Sequence, residues 1–479
     1  MSFAAGQNRS LALDAVRGLA ILAMLLSGQM PFDGLSLPSW MYHAQEPPPN
    51  FQWIGTLPGI SWVDLVFPFF LFAMGAAFPL ALARRMEREN SPGKLFLFVC
   101  ERGFLLGFFA LFVQAIRPYT LNHHPTTATW WLALLGFFIF FPILTRLPAE
   151  WPRLVKISVR ALGWLAATWF FVFVNYPDGS GFSVGRSDII IIVLTNMAVF
   201  GSLVWMFTRQ NLTLRLGVMG IIFALRLSNL PTATEGWVHE LWMASPLPWI
   251  YQLYYLQYLC IVIPGTIAGD LILQWTRRDA SQKISGQKTW PLMRYAAVLL
   301  TIIALVLVTL IGLKDRWLLG TTLSDFALCF IGGKLLQHPL TDTEKLFQKL
   351  FHWGIYWLVL GLVFEPWEGG IKKDHPTLSY YFITSGLAIC VFIGCSILID
   401  VWQQKRWLRL LIDNGQNPMI AYAGINNFIT PVLALIGADQ LLTRFATTPW
   451  RGFWKGAIIT LLMAGTVSLL TRKKIFWRT

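Results

Sequence analysis

Few side chains in this sequence can carry chemistry, and most of them stand where hydrocarbon is expected. His43 lies in the stretch MYHAQEPPP (41–49), between two long apolar runs and with hardly a charge around it. An imidazole with an ordinary pKa of about 6.5 suits general-base work near neutrality. A lone loop histidine is more commonly just solvated, so its setting rather than its type makes it a candidate. Asp14 and Arg17 stand three apart in the first apolar run, close enough to share a helix face. Asp64 opens SWVDLVFPFF, and Arg102 follows Glu101 in VCERGFLLG. Asp270 ends IPGTIAGD, and Lys373 and His375 precede TLSYYFITSG. An ionisable group inside a spanning helix is costly unless it faces a partner or water, so each is a functional candidate. Structural readings stand beside the functional ones: Asp14–Arg17 as an ion pair, Asp64 as an N-terminal helix cap, Arg102 as a snorkelling side chain, Lys373 as an interface anchor. Cys100, Cys260, Cys329, Cys390 and Cys395 fall in apolar segments without metal-type spacing. Neither a metal site nor a disulfide framework is therefore expected.

The elements that must position these groups are membrane helices. Of 479 residues, 55% are hydrophobic and only 13% charged, against about 25% charged in soluble domains. Mean hydropathy is +0.55. Apolar runs long enough to span lie near 11–30, 60–83, 95–116, 128–145, 157–175, 187–207, 249–273, 294–313, 346–364, 378–401, 418–437 and 454–471. Weaker ones, at 212–228 with Arg215 and Arg226 and at 318–336 with Asp325, bring the expectation to about 12–14 spans. The fold class that follows is all-α, a polytopic membrane helix bundle, with one domain over 1–479. The first run contains Asp14 and Arg17 and no small-residue cleavage site, so it reads as a retained first helix rather than a signal peptide.

The net charge of +14 comes from Lys and Arg in short loops, which sets orientation and does not mark a nucleic-acid binder. Basic loops at 83–90, 146–156, 208–215, 275–294 and 402–409 alternate with Lys/Arg-poor ones at 31–59, 117–127, 176–186 and 229–248. That alternation predicts both termini inside and His43 outside. Pro47, Pro48 and Pro49 cannot continue a helix and favour a stiff extended path over the bundle mouth. Pro264, Gly265 and Gly269 suggest a broken helix of the transporter kind.

Taken together, LALDAVRGLAIL, SWVDLVFPFFLFAMG and the terminal RKKIFW resemble the heparan-α-glucosaminide N-acetyltransferase family, best over 8–116 and 378–479. The chain looks most like its bacterial members with a DUF5009-type domain, which are often labelled as N-acetylglucosamine-related transporters. The resemblance implies acetyl transfer from cytosolic acetyl-CoA to the amino group of a glucosamine-type sugar or glycan on the far side of a bacterial inner membrane. It needs no metal and admits a homodimer. It assigns catalysis to His43, followed by Ala44 as in the family, and to Asp64. It assigns acetyl-CoA to Arg17, Arg102, Asp14 and Lys373. Trp40, Tyr42, Gln45 and Trp62 are the candidates for holding the acceptor. Departures from the family pattern are the stretch QEPPPNFQWIGTLPGI between His43 and Asp64, Ser27-Gly28 where the family has asparagine, the absence of a Gln-Arg pair near the fourth helix, and Asn426 where many members have histidine. The rival expectation is an inner-membrane carrier of N-acetylglucosamine or a related cell-wall amino sugar. Transfer requires a passage that admits a pantetheine arm between the two faces.

Overall fold

The computed structural model describes residues 9–32, 36–88, 91–229, 236–279 and 288–479. Among them the regular elements are all helical, with only isolated bridges between Thr145 and Trp477 and between Leu247 and Tyr251. The bundle is formed by α1 (Leu11–Ser27), α2 (Trp62–Arg88), α3 (Pro92–Ala115), α4 (Thr127–Leu144), α5 (Arg153–Phe173), α6 (Ile189–Thr208), α7 (Leu212–Leu227), α8 (Leu253–Arg277), α9 (Leu292–Lys314), α10 (Leu318–Leu335), α11 (Asp342–Phe364), α12 (Leu378–Val401), α13 (Pro418–Leu435) and α14 (Pro449–Arg472). Twelve of these are long and apolar enough to cross a membrane. The other two are α1, with 17 residues, and α7, with 16. The run near 318–336, weak by sequence, is thus among the twelve, and the first run falls just short in length.

The charges that weakened α7 and α10 in the sequence have partners. Arg215 donates to Asp270 at 2.7 Å and to Thr266 at 3.2 Å, and the Trp205 indole donates to the other Asp270 oxygen at 2.9 Å. Arg226 reaches Glu368 at 2.5 Å. Asp325 lies 2.9 Å from the Thr309 hydroxyl, which is also 2.7 Å from the Leu305 carbonyl.

Core position explains α1's short length. Ser10 caps it by accepting from Leu13 N–H at 3.2 Å, and most of its faces are buried. Backbone contact fixes its depth: a Cβ on Gly18 would sit 1.8 Å from the Leu411 carbonyl oxygen, and one on Gly415 would sit 1.8 Å from that of Asp14. The pairing of α2 with α8 is of the same kind. A Cβ on Gly75, Gly265 or Gly269 would fall 2.4 Å from the carbonyl oxygen of Val262, Phe72 or Ala76 respectively. The helix from Leu259 to Asp279 runs unbroken through Pro264. This corrects the expectation of a broken helix: the glycines there let two backbones approach, as small residues do between membrane helices.

Arg146 N–H donates to the Phe476 carbonyl at 3.0 Å, and Arg478 N–H donates to that of Leu144 at 2.8 Å. The Asn417 amide reaches Ile475 O at 2.7 Å. The C-terminal residues are thereby held beside the start of α1, so the first described residues and the last share one end of the bundle, the terminal end. His43 follows α1 at the opposite end, roughly 25 Å away at 1.5 Å per residue.

Candidate active site

His43 sits just past a short turn, Ser39–Met41, that a satellite core of Met30, Leu37, Met41 and Tyr42 pins to Phe51, Trp62 and Phe453. The proline run does not extend, as the sequence suggested it would. Phe51 N–H returns to Pro47 O at 3.2 Å and Ile54 N–H to Gln45 O at 2.8 Å, with a cis bond between Pro48 and Pro49. The loop therefore doubles back and delivers His43 to the first turn of α2.

There His43 Nδ1 lies 2.8 Å from Asp64 Oδ1. Asp64 is 1% exposed, and its other oxygen accepts from Ser61 N–H at 2.8 Å and Ala44 N–H at 3.2 Å. The Tyr380 hydroxyl donates to the Asp64 backbone carbonyl at 2.8 Å. A carboxylate so held keeps the proton on Nδ1 and leaves Nε2 as an acceptor, which is the arrangement of a general base. Asp64 thus does two things at once: one oxygen ties Ser61 ahead of the helix, as a cap does, and the other faces the imidazole.

Lys373 Nζ stands 3.2 Å from His43 Nδ1 and 3.3 Å from Nε2. A point in the ring plane equidistant from both nitrogens would overlap ring carbon, so the ammonium lies over the ring face. Its loop is fixed from several sides. Arg226 donates to Glu368 and, at 2.7 Å, to the Pro376 carbonyl; Glu368 also accepts from Leu378 N–H at 2.5 Å. Gly59 N–H donates to Ile371 O at 2.7 Å, and Arg316 pairs with Glu365. Lys373 is thus at the His43 end of the bundle, far from the other residues assigned to acetyl-CoA.

A cavity of about 510 Å³ opens over these groups, a size usual for small-molecule sites. His43, Lys373, Asp374 and Tyr258 line it, and Ser27, Gln29, Arg117, Tyr422 and Asn426 contribute the other polar side chains. Arg117 pairs with Asp188 at 2.6 Å, and the Tyr422 hydroxyl donates to the same oxygen at 2.8 Å. Asp188 also caps α6 through Ile191 N–H at 3.2 Å. Asn426 faces the cavity from a π-helical turn, Ile425–Ile429, inside α13. None of Arg117, Asp188, Tyr422 and Asp374 stood out in the sequence. The available signal was a charge at each edge of an apolar run in a loop otherwise poor in Lys and Arg.

The four acceptor candidates do not line this cavity. Tyr42 is 2% exposed; its hydroxyl donates to Pro31 O at 2.6 Å and accepts from Leu37 N–H at 3.1 Å, and burial pushes its phenol above the ordinary value. Gln45 uses its amide to hold the backbone of Asp374. Trp62 packs on the satellite core, and Trp40 is half exposed on the turn before it. Tyr42, Gln45 and Trp62 thus hold the loop in place.

Below the cavity, and sharing Met24, Phe67, Ile190 and Tyr422 with it, lies an apolar neck with about 30 Å³ of free space. That admits a water, and a pantetheine arm would need Phe67, Phe70 and Phe109 to move. At the terminal end Asp14 is bound by Arg9 at 2.5 Å and lies 3.7 Å from Arg17. Arg17 also donates to the Ala73 and Gly415 carbonyls at 3.3 and 3.4 Å. Arg102 is near enough for its charge to oppose that of Arg17, and its buried Nε–H has no acceptor among the described residues. Two guanidinium groups, one of them incompletely bonded, fit an anionic group such as a phosphate. Among the described residues there is no cluster of His, Cys, Asp and Glu able to hold a metal.

Fold and site define a class: a polytopic membrane helix bundle with a carboxylate–imidazole pair opening on a cavity at one end. The chain belongs to the family described as Domain of unknown function (DUF5009), matching it over residues 9–272, more than half its length. That range includes Arg17, His43, Asp64 and Arg102 and stops before Lys373. A comparison with curated proteins finds no match.

Proposed function

We propose that this protein is a transmembrane acetyltransferase of a bacterial inner membrane. It takes acetyl groups from acetyl-CoA at the terminal end, read as cytoplasmic from its basic loops, and passes them to the amine of a glucosamine-type sugar at the His43 end. One observation carries the reading: His43 is held by Asp64 at 2.8 Å and lines a 510 Å³ cavity, with the Lys373 ammonium against its ring. A carrier of neutral sugars has no need of a carboxylate-oriented base. The resemblance to the heparan-α-glucosaminide N-acetyltransferase family supports it, as do Arg17 and Arg102 at the other end.

In this reading His43 Nε2 takes the proton the amine loses as it attacks the thioester carbon. Asp64 stabilises the resulting imidazolium, and Lys373 faces the oxygen that gains negative charge. The neck between the ends must open for the thioester to arrive.

A second reading, carriage of N-acetylglucosamine or a related sugar, draws on that closed neck, since an outward cavity above an apolar plug is what a carrier presents. It has lost the broken helix that first suggested it. Purified protein in liposomes separates the two. Labelled acetyl-CoA on one side and glucosamine on the other are expected to give N-acetylglucosamine, with His43→Ala reducing turnover by at least about a hundredfold. Uptake of labelled N-acetylglucosamine without acetyl-CoA, alongside undiminished acetylation by His43→Ala or none by wild type, would overturn the enzyme reading.

A further inference from the structure

Two charged groups at the cavity are not used by the mechanism above: Arg117, which is paired with Asp188, and Asp374. Asp374 lines the same cavity as His43 and Lys373. Its backbone is clamped on both sides by the Gln45 amide: its N–H donates to Oε1 at 2.7 Å and its carbonyl accepts from Nε2 at 3.0 Å. Gln45 is itself 2% exposed, so the place of Asp374 relative to His43, two residues before Gln45, is set by buried bonds. The neighbouring Lys373 turns to the imidazole. The Asp374 carboxylate has no hydrogen bond or ion pair among the described residues. Its charge acts on the phenols of Tyr258 and Tyr380; the first lines the cavity and the second is bonded to the Asp64 carbonyl.

Charge around the cavity points the same way. The cations are Lys373 and Arg117, and the anions are Asp64, Asp188 and Asp374. Arg117 and Asp188 cancel each other, and Lys373, against the His43 ring, offsets Asp64. On the loop behind, Glu365 and Glu368 are neutralised by Arg316 and Arg226, and Lys372, which does not line the cavity, turns its ammonium to the Glu368 backbone carbonyl at 2.8 Å. With His43 neutral, one negative charge remains, and it sits on the group that lacks a partner. A single cation with several N–H donors completes such a site through charge-assisted bonds.

We propose that Asp374 is the specificity carboxylate for the acceptor, binding its amine as the ammonium beside His43, so that the cavity takes protonated amino sugars in preference to neutral sugars. The proposal deepens the acetyltransferase reading and rests on it for the use of the bound amine. The proton balance is complete. The ammonium gives one proton through His43 to solvent and becomes nucleophilic. A second proton, lost as the C–N bond forms and the C–S bond breaks, passes to Nε2 and from there to the departing thiolate. An alcohol has no first proton to lose and needs no carboxylate at this place.

Binding without acetyl-CoA tests the proposal apart from turnover. Calorimetry on the purified full chain in nanodiscs compares glucosamine with glucose, in wild type and in Asp374→Asn, which leaves the backbone clamp intact. Wild type is expected to prefer glucosamine by at least about tenfold, the scale of one charge-assisted bond. The preference should fade above the pKa of the sugar amine and be absent in Asp374→Asn. Equal binding of the two sugars by wild type, or a preference that survives in Asp374→Asn, overturns it. Gln45→Leu, which frees the clamp and keeps the carboxylate, is expected to weaken the preference in part; in a sample where Asp374→Asn does not fold, an unweakened Gln45→Leu counts against the proposal. A retained preference with no acetylation of glucosamine removes the enzyme reading and leaves the ammonium site standing.

Discussion

Replacing Asp64 by Asn tests the dyad with little disturbance to the fold. The carboxylate serves opposed duties. Oδ2 accepts from the N–H groups of Ser61 and Ala44 at 2.8 and 3.2 Å, while Oδ1 faces His43 Nδ1 at 2.8 Å. An asparagine has one acceptor and one donor end. Turning its NH2 toward Ser61 and Ala44 would set donors against donors and leave two N–H groups near a buried side chain unpaired, at about 1–3 kcal/mol each. The oxygen therefore stays with the backbone, and the NH2 points at Nδ1. The imidazole must then accept at Nδ1 and carry its proton on Nε2, where it cannot act as a base. The same tautomer reversal in serine proteases lowers turnover by about 10⁴, and a loss of roughly 10³–10⁴ in kcat is expected here, with the melting temperature close to wild type. Asp64→Ala, which removes the acceptor altogether, is expected to be destabilised by about 2–6 kcal/mol from the same two groups. The assay is acetyl transfer to glucosamine in proteoliposomes, paired with thermal unfolding in detergent. An Asp64→Asn protein that keeps more than about a tenth of wild-type turnover would refute the claim that Asp64 sets the tautomer.

Two further outcomes follow from packing and loop support. Arg226→Leu leaves Glu368 charged and shielded (12% side-chain exposure) beneath the Lys373 loop; a loss of about 3–5 kcal/mol is expected, visible as a lower melting temperature, and Glu368→Gln added to it should recover part of that loss. Gly269→Ala places a methyl 2.4 Å from the Ala76 carbonyl oxygen, so α2 and α8 must separate; a cost of about 1–3 kcal/mol is expected in thermal unfolding, whereas Gly333→Ala, which meets nothing within 4 Å, should be neutral or stabilising.

The helices were legible because hydrophobic runs of spanning length carry their own evidence, and even the two weak runs form helices whose charges find partners in the bundle. His43 and Asp64 were legible as candidates, but their meeting was not, since the 20 residues between them fold back through turns at Pro47 and Gln45 that no periodicity announces. Lys373 reaches His43 across 330 residues, a contact that only the packing of α12 against α1 and α2 creates. The aromatic residues near His43 misled because an aromatic side chain beside a site reads the same in sequence whether it faces a ligand or a core. Tyr42 and Trp62 face a core. Pro264 and its glycines misled for a related reason: residues that break helices in isolation also let helices touch.

The π-helical turn at Ile425–Ile429 has a consequence for how this scaffold can change. Such a turn holds one surplus residue compared with ordinary winding. Removing one residue there would restore the regular spiral while the turns on either side keep their facing, so the change falls on the bulge itself and carries Asn426 or a neighbour off the wall. Gain or loss of single codons at this bend is thus a direct route by which descendants of one ancestor come to grip different molecules, while the rest of the barrel of helices stays as it was.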